Sequence, residues 1–196
     1  MDICEVNHCE AKRPLGERAI DSRRVYGGRI LNLRVDEVET KNGRRTLREV
    51  VEHKAAVGIL ALTGRDTLLL VRQFRYAVGE ETLEVCAGLM EEGETPEETA
   101  VREMREELGY SPGSLREIGR IYASPGFCTE LLALFLATNL SAARLPQDED
   151  EDVSVEEVRY GDIPDMLARG MFRDAKTFAA LSWFMAWQGL RPVFGD

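Results

Sequence analysis

The sequence lacks the features that mark membrane, secreted and zinc-binding proteins. No apolar run approaches the about 20 residues that a membrane-spanning helix needs. The N-terminus has no basic stretch followed by an apolar segment, which is the pattern of a secretion signal. The four cysteines form no Cys-x-x-Cys pair, and the spacing of Cys4, His8 and Cys9 fits no zinc pattern. We therefore expect a cytoplasmic protein with reduced thiols and no membrane partner.

The chain also lacks an excess of positive charge, because 35 acidic residues against 25 lysines and arginines leave a formal net charge of −10. This balance argues against nucleic acid as a partner, since the phosphate backbone selects basic surfaces. A negative charge keeps a protein soluble, but an enzyme of this charge that acts on an anionic substrate would need bound cations to invert the local field. At 196 residues and 44% hydrophobic composition, we expect a globular protein of one domain with at most a small appendage.

Alternating apolar and polar residues predict strands along most of the chain, with helices between them. Residues 1–54 are predicted to form an N-terminal antiparallel β-hairpin region, whose turn Lys41–Arg44 contains an Asn-Gly pair suited to two positive-φ positions. Residues 55–196 are predicted to form the second domain. Strands are predicted over 23–26, 29–39, 46–52, 55–63, 67–74, 82–86, 115–122, 130–140 and 153–160, and helices over 96–108, 162–169 and 174–188. This order predicts an α+β fold, an α/β/α sandwich with a mixed sheet. The period of 130–140 alone also allows a helix.

One stretch, Gly88–Tyr110, joins a glycine loop to a carboxylate-rich helix, with the sequence GLMEEGETPEETAVREMREELGY. Thr95 and Glu98 form a capping box around Pro96, and Gly109 suits the left-handed position that ends a helix. Three glutamates are predicted to share the face opposite the apolar one: Glu103, Glu106 and Glu107. Like charges at this spacing repel one another. The cluster therefore indicates a site for Mg²⁺ or Mn²⁺, which prefer oxygen ligands, and the alternative is a solvated helix face.

The spacing of Gly88, Glu94 and Arg102–Tyr110 resembles the 23-residue Nudix box. Every fixed glycine, glutamate and arginine of that motif is present, while Tyr110 fills a position that is usually aliphatic. The resemblance implies a Nudix fold and hydrolysis of a nucleoside diphosphate linked to another group. It also implies specific roles along the stretch: Glu103 and Glu107 as metal ligands, Glu106 on a further ion, Arg102 and Glu94 orienting the glutamates, and the Ala87 carbonyl as a ligand from the loop.

A second segment, Tyr122–Glu130, resembles the Ser-Pro-Gly loop of the ADP-ribose pyrophosphatase branch of that family, and its proline lies 15 residues after the box. The resemblance implies that Ser124 and Gly126 contact the substrate. The acidic run over 147–152 is by composition a solvated loop. In the branch, an acidic loop at this place carries the glutamate that activates water. We expect Glu149 in that role, with Glu151 as the alternative, on a loop that can close over bound substrate.

Three further residues resemble substrate contacts of this branch, although each also fits a surface charge on a strand. Arg75 resembles the arginine that contacts the diphosphate or the terminal ribose, and Arg48 and Glu52 resemble the pair that reaches the nucleotide. In the branch, the N-terminal strands are exchanged between two subunits. The resemblance therefore implies a homodimer with swapped strands.

Together these patterns predict a Mg²⁺-dependent ADP-sugar pyrophosphatase that cleaves ADP-ribose to AMP and ribose 5-phosphate, with Mn²⁺ as a possible substitute. The sequence leaves open the same chemistry on another nucleotide sugar, such as GDP-mannose, because nothing in it selects the base. A third reading is a Nudix-fold sensor that binds ADP-ribose without cleaving it. The intact segment Arg102–Glu107 weighs against a sensor, which does not need metal ligands.

Overall fold

The computed structural model describes residues 16–64, 66–146 and 152–189. The chain divides into two compact units. The first unit spans Met1–Glu52 and the second spans His53–Asp196. The sequence places this division two residues later, between residues 54 and 55.

The first unit is a three-stranded sheet of β1 (Arg18–Gly27), β2 (Leu31–Glu39) and β3 (Arg45–His53), in that order. β1 runs antiparallel to β2, with Arg18 opposite Glu39 and Gly27 opposite Asn32. The predicted N-terminal antiparallel region is therefore confirmed. β1 starts five residues earlier than the alternating pattern indicates, because its residues are mostly exposed and do not need to alternate.

The turn between β2 and β3 differs from the predicted one. Thr40 N–H donates to the Arg44 carbonyl at 2.8 Å, and Gly43 N–H donates to the Thr40 carbonyl at 2.8 Å. Gly43 takes a left-handed conformation, with φ 75°, but Asn42 does not. The prediction of two positive-φ residues is therefore wrong. The loop has three residues and ends on one left-handed glycine, a hairpin geometry that is the most common after the two-residue loop.

The second unit is built on a seven-stranded mixed sheet. Its main path has the order β12 (Val153–Arg159), β5 (Thr67–Arg75), β4 (Ala56–Leu62), β10 (Leu131–Thr138) and β9 (Ser114–Tyr122). β10 runs parallel to β4, while the other pairs are antiparallel. Two more strands, β6 (Glu80–Glu84) and β7 (Cys86–Leu89), pair with β5 and β4 respectively. A small separate pair joins β8 (Tyr110–Ser111) to β11 (Ser141–Ala142).

The segment predicted as one strand over 82–86 is therefore two strands. β6 pairs with β5 as far as Glu84, and β7 then pairs with β4 from Cys86 onward. Val85 lies between them and is 1% exposed. The sequence has no turn residue at this change of partner, and both strands lie in the same sheet.

Helices cover both faces of this sheet, which confirms the α/β/α sandwich. β4 is buried along its whole length, and its alternate residues enter two different cores. Leu60 and Leu62 pack with α3 (Ala175–Gln188), whose buried face includes Leu181 and Phe184. Val57, Ile59 and Ala61 pack with α1 (Pro96–Glu103) and the turn that follows it. A short helix, α2 (Ile163–Ala168), adds to the first core.

The box helix changes its period halfway. α1 ends at Glu103, and Met104–Leu108 forms a π-turn in which Gly109 N–H donates to the Met104 carbonyl. The sequence predicts one α-helix through residue 108, and this prediction is wrong for the last turn. Glu103 is 6% exposed and Glu107 is 3% exposed, so the alternative of a solvated helix face does not hold for these two glutamates. π-turns of this kind occur frequently at functional sites. No helix within the described residues is long and apolar enough to cross a membrane.

Candidate active site

The glycine loop and the start of α1 are held by local hydrogen bonds that the sequence predicts. Thr95 accepts from Glu98 N–H at 3.2 Å, and the Glu98 carboxylate accepts from Thr95 N–H at 2.9 Å. Gly93 has φ 88°, which allows the loop to turn into the helix. The capping box is confirmed. It fixes the first turn of the helix close to the end of β7.

Arg102 is the centre of the site. Its Nε and Nη2 donate to the two carboxylate oxygens of Glu94, at 2.8 and 3.0 Å, in the bidentate geometry that a guanidinium favours. Its Nη1 donates to Glu103 at 2.7 Å and to Glu106 at 3.0 Å. Nη2 also donates to the Leu89 carbonyl at 3.0 Å, which ties the helix to the glycine loop. One side chain thus holds three carboxylates, and the orienting role of Arg102 in the reaction stays a prediction.

Glu94 is held as a carboxylate from both sides. Thr99, which is fully buried, donates to it at 2.8 Å, and Glu91 N–H donates at 3.0 Å. The hydrogen bonds from Arg102 lower the pKa of Glu94 to about 2, against a smaller rise caused by burial. The hydrogen bond to Glu94 in turn raises the pKa of Arg102. Both groups therefore keep their charges across the neutral pH range.

Glu103 lies directly against the backbone of the glycine loop. A Cβ atom placed on Gly88 would come within 1.8 Å of Glu103 Oε1 and 1.9 Å of its carboxylate carbon. Only glycine leaves room for the carboxylate at this position of β7. Gly88 is therefore needed because the Glu103 carboxylate fills the space that a Cβ atom would take. The backbone of Gly88 does not adopt a positive φ, so the conformational freedom of glycine is not the reason.

Glu107 contacts the residue before Gly88. Its carboxylate accepts from Ala87 N–H at 3.1 Å. Glu107 belongs to the π-turn, in which Met104 and Leu108 are buried in the core. Glu103 and Glu107 thus contact consecutive residues of the loop. Of the residues predicted for metal binding, Ala87 and Glu107 are joined by a hydrogen bond, and Glu103 and Glu106 are bridged by Arg102.

These four residues fit a divalent cation by their chemistry. Carboxylates and a loop carbonyl are the oxygen donors that Mg²⁺ and Mn²⁺ select, and Gly88 leaves a cradle in which the Glu103 carboxylate lies. Within the described parts of the chain, however, no three acidic, histidine or cysteine side chains meet at metal-binding distances. Arg102 instead bridges Glu103 and Glu106. The ligand set therefore stays a prediction.

Arg75 ends β5 and points its guanidinium at a buried carboxylate. Its Nε and Nη2 donate to Glu84 at 2.9 and 2.6 Å. These bonds raise the pKa of Arg75 despite its partial burial, and the charge of Glu107 adds to the rise. Arg75 thus lies within electrostatic range of the box helix, and 41% of its side chain is exposed.

The Ser-Pro-Gly segment forms a tight turn in the second unit. The Ser124 carbonyl accepts from Phe127 N–H at 3.1 Å and from Cys128 N–H at 2.9 Å. Thr129 Oγ1 then accepts from His53 N–H at 3.0 Å. Ser124 is half-buried and Gly126 is exposed, so the turn offers its backbone and the Ser124 side chain to solvent. Their predicted contact with the substrate stays a prediction.

Arg48 and Glu52 lie in β3 and make ion pairs within the first unit. Arg48 Nε donates to Glu17 at 2.8 Å, and this bond raises the pKa of Arg48. Glu52 lies 3.1 Å from Arg34 Nε and 3.5 Å from an Arg24 nitrogen. Their role in nucleotide binding stays a prediction. Glu149 and Glu151, the two candidates for the base, lie outside the described residues.

Sequence reasoning missed two charged residues beside the site. Glu84, in β6, is 3% exposed, and Lys176, in the first turn of α3, contacts its carboxylate. In the sequence, Glu84 looks like an ordinary polar residue at the end of a strand. The one available signal was a charge immediately before the buried Val85-Cys86 pair, where a carboxylate needs a cationic partner.

Comparisons with known proteins find two matching family models and several relatives. A family model described as the NUDIX domain matches residues 52–181, and one described as the nucleoside diphosphate sugar hydrolase N-terminal domain matches residues 17–51. The chain is 37% identical over 181 residues to the ADP-ribose pyrophosphatase of Bacillus subtilis (strain 168), covering 91% of this chain and 98% of the relative. It is 34% identical to the methanol dehydrogenase activator of Bacillus methanolicus, covering 89% and 96%.

Two further similarities concern the base and the fold. A GDP-mannose pyrophosphatase of Escherichia coli O1:K1 / APEC is 35% identical over 152 residues, covering 69% of this chain and 79% of the relative. The crystal structure of an ADP compounds hydrolase superposes with a TM-score of 0.80 at 23% identity, covering 88% of this chain and 94% of that chain. At this identity the superposition supports the fold alone.

Proposed function

The chain belongs to the Nudix family, and from this membership we propose that it is a nucleoside-diphosphate-sugar pyrophosphatase that cleaves ADP-ribose to AMP and ribose 5-phosphate. The observation that carries the proposal is the group of four carboxylates around Arg102 and the glycine loop: Glu94, Glu103, Glu106 and Glu107. Four carboxylates beside one guanidinium carry a formal net charge of −3, which disfavours a bare diphosphate and favours a cation.

In the reaction, water attacks one phosphorus atom while the bridging P–O bond breaks. Glu103, Glu107, Glu106 and the Ala87 carbonyl would hold a divalent cation, which we propose to be Mg²⁺ with Mn²⁺ as a substitute. When bound, such an ion would supply neutralisation of the diphosphate charge and a lower pKa for water. Arg102 and Glu94 keep these glutamates in place. Glu149, or Glu151, takes the proton of the attacking water.

Substrate recognition involves five residues in this proposal. Arg75 binds the diphosphate or the terminal ribose, and Ser124 and Gly126 contact the substrate from their turn. Arg48 and Glu52 bind the nucleotide, with the N-terminal strands exchanged in a homodimer. The exposure of β1 supports such an exchange: Tyr26 is 58% exposed and Val25 is 42% exposed. We expect the protein to act in the cytoplasm.

A panel of diphosphates tests the proposal. ADP-ribose, ADP-glucose and GDP-mannose are each incubated with the purified chain, and release of AMP or GMP is measured with Mg²⁺, with Mn²⁺ and with EDTA. We expect metal-dependent AMP release from ADP-ribose at a kcat/KM above that for GDP-mannose. Preferential GMP release would assign the GDP-mannose reading. Binding of ADP-ribose without turnover would assign the sensor reading. In either case the proposed activity would be wrong.

The same preparation tests the homodimer through its mass in solution, measured by light scattering. We expect the parent to have the mass of a dimer and the Tyr26→Asp variant to have the mass of a monomer. The new carboxylate would otherwise have to be buried at the interface between the exchanged strands. Thr46→Asp, on β3 of the same unit, controls for the added charge and should leave the mass unchanged. A monomeric parent would remove the swapped strands from the proposal.

A further inference from the structure

The carboxylate of Glu84 is buried with two cations rather than one. Thr82 Oγ1 donates to it at 2.5 Å, Arg75 donates twice, and the Lys176 ammonium contacts the oxygen that Arg75 Nη2 also contacts. The residue is 3% exposed. A buried carboxylate is costly unless it is paired and its oxygens are hydrogen-bonded, and both conditions are met here. Burial raises the pKa of Glu84, but the bonds from Arg75 and the charge of Lys176 outweigh this effect and lower the pKa to about 2.

This pairing controls the direction of the Arg75 guanidinium. Two of its five N–H groups are directed at Glu84, and across the described ranges Arg75 donates to no other group. The plane of the guanidinium is therefore fixed at one edge, while the Nη1 group and the exposed part of the side chain remain available to an anion. The charge of Glu107 contributes to the raised pKa of Arg75, so the guanidinium lies within electrostatic range of the box helix.

Lys176 connects the same carboxylate to the first turn of α3. Its ammonium lies 3.0 Å from Asp174, the N-cap residue, whose carboxylate accepts from the backbone N–H groups of Lys176 and Thr177. Thr177 Oγ1 accepts from Val85 N–H at 2.8 Å. The start of α3 is thus bonded to both residues at which the chain passes from β6 to β7. The glycine loop begins two residues later.

From these contacts we propose that Glu84 and Lys176 are positioning residues that act on the substrate through Arg75. Glu84 fixes the guanidinium plane, so that its free edge faces the diphosphate. Lys176 supplies the second positive charge that keeps the buried carboxylate ionised, and it anchors the carboxylate to α3. This inference rests on the proposed function, since it assigns the diphosphate to Arg75.

A double-mutant cycle separates positioning from general structural support. We expect Arg75→Ala and Glu84→Gln each to raise KM for ADP-ribose by about tenfold or more, because each removes a charge-assisted pair. In the Arg75→Ala background, Glu84→Gln should change KM by less than about twofold, since its target is absent. The value of kcat should change much less than KM in all three variants.

Glu156→Gln is the matched control. It removes the carboxylate of another Arg–Glu pair on β5, in which Arg72 donates to Glu156 at 3.1 and 2.7 Å. Its KM should match that of the parent. If Glu84→Gln lowers the yield of folded protein, the cycle is run with Lys176→Met, whose rise in KM should likewise vanish in the Arg75→Ala background. Thermal unfolding of each variant shows which cycle applies.

Two results would overturn the inference alone. One is an unchanged KM in Glu84→Gln, and the other is an equal rise with and without Arg75, which would indicate a structural effect. A parent that fails to hydrolyse the diphosphates overturns the proposed function instead. In that case, calorimetry measures the Kd for ADP-ribose in the same set of variants. An equal rise in Kd on Glu84→Gln with and without Arg75 would again contradict the positioning role. A parent that does not bind ADP-ribose at all overturns both proposals.

Discussion

Gly88→Ala tests whether the Glu103 carboxylate must lie against the glycine loop. The new Cβ would meet the Glu103 carboxylate carbon at 1.9 Å, whereas ordinary van der Waals contact begins at 3.4 Å. The carboxylate must therefore move by about 1.5 Å. This movement breaks the 2.7 Å bond from Arg102 Nη1 to Glu103. The backbone itself has no need to move, because the atoms that clash form the end of a side chain.

The expected losses in stability and in activity are unequal. Overpacking costs about 1–3 kcal/mol, and the reduced freedom of the unfolded chain on replacing glycine returns about 0.4–1 kcal/mol. A net loss of about 1 kcal/mol would lower Tm by about 3 °C for a chain of this size. Misplacing a reacting or metal-binding group by about 1 Å costs about 100-fold in rate. We therefore expect kcat/KM for ADP-ribose to fall at least about 100-fold, or about 2.7 kcal/mol.

The assay compares Gly88→Ala with Gly119→Ala. Gly119 lies in β9, and a Cβ placed there meets nothing within 4 Å, so the control should keep its activity. AMP release is measured across a Mg²⁺ titration, and Tm by calorimetry. The half-saturating Mg²⁺ concentration should rise in Gly88→Ala alone. A kcat/KM within about threefold of the parent, with Tm nearly unchanged, would show that the position of Glu103 does not matter for the reaction.

Three further predictions concern single carboxylates. Glu107→Gln should lower kcat by about 10³-fold or more with an unchanged circular dichroism spectrum, because it removes a predicted metal ligand, and near-normal turnover would exclude that role. Glu149→Gln should slow kcat by about 10²–10⁴-fold while Mg²⁺ binding survives, and the same result for Glu151→Gln alone would move the base by two residues. The pKa of Glu84, about 2, lies below its ordinary value of 4.5, so the ionised carboxylate stabilises the folded protein by about 3 kcal/mol. This contribution is present above pH 4.5 and is lost as the pH falls from 4.5 to 2. Chemical unfolding of Glu84→Gln should therefore show a weaker dependence on pH in that window, and an unchanged dependence would contradict the assigned pairing.

The start of the box helix was predictable because its determinants are local. Thr95, Pro96 and Glu98 act within one turn, and their preferences depend little on the rest of the fold. The strands were predictable for a similar reason, since a buried strand such as β4 needs an unbroken apolar run. The order of these elements then limits the possible architectures to a few.

The features that were missed depend on contacts between distant parts of the chain. Glu84 lies 92 positions before Lys176, its partner on α3, and no local pattern reports such a pair. The π-turn at Met104–Leu108 is missed because a reading at 3.6 residues per turn assumes a constant period. The change of strand at Val85 is missed because it depends on which distant strand, β5 or β4, each part pairs with, and no turn residue marks it in the sequence.

Contacts with the glycine loop help to explain how a crowded acidic helix remains part of a stable core. Glu103 and Glu107 are four residues apart, a spacing at which like charges on a helix repel. Glu103 lies at Gly88, and the Glu107 carboxylate accepts a hydrogen bond from Ala87 N–H. Arg102 offsets only part of the charge that remains. The fold therefore holds an excess of negative charge in place at the end of β7, and a bound cation with an anionic diphosphate would relieve it.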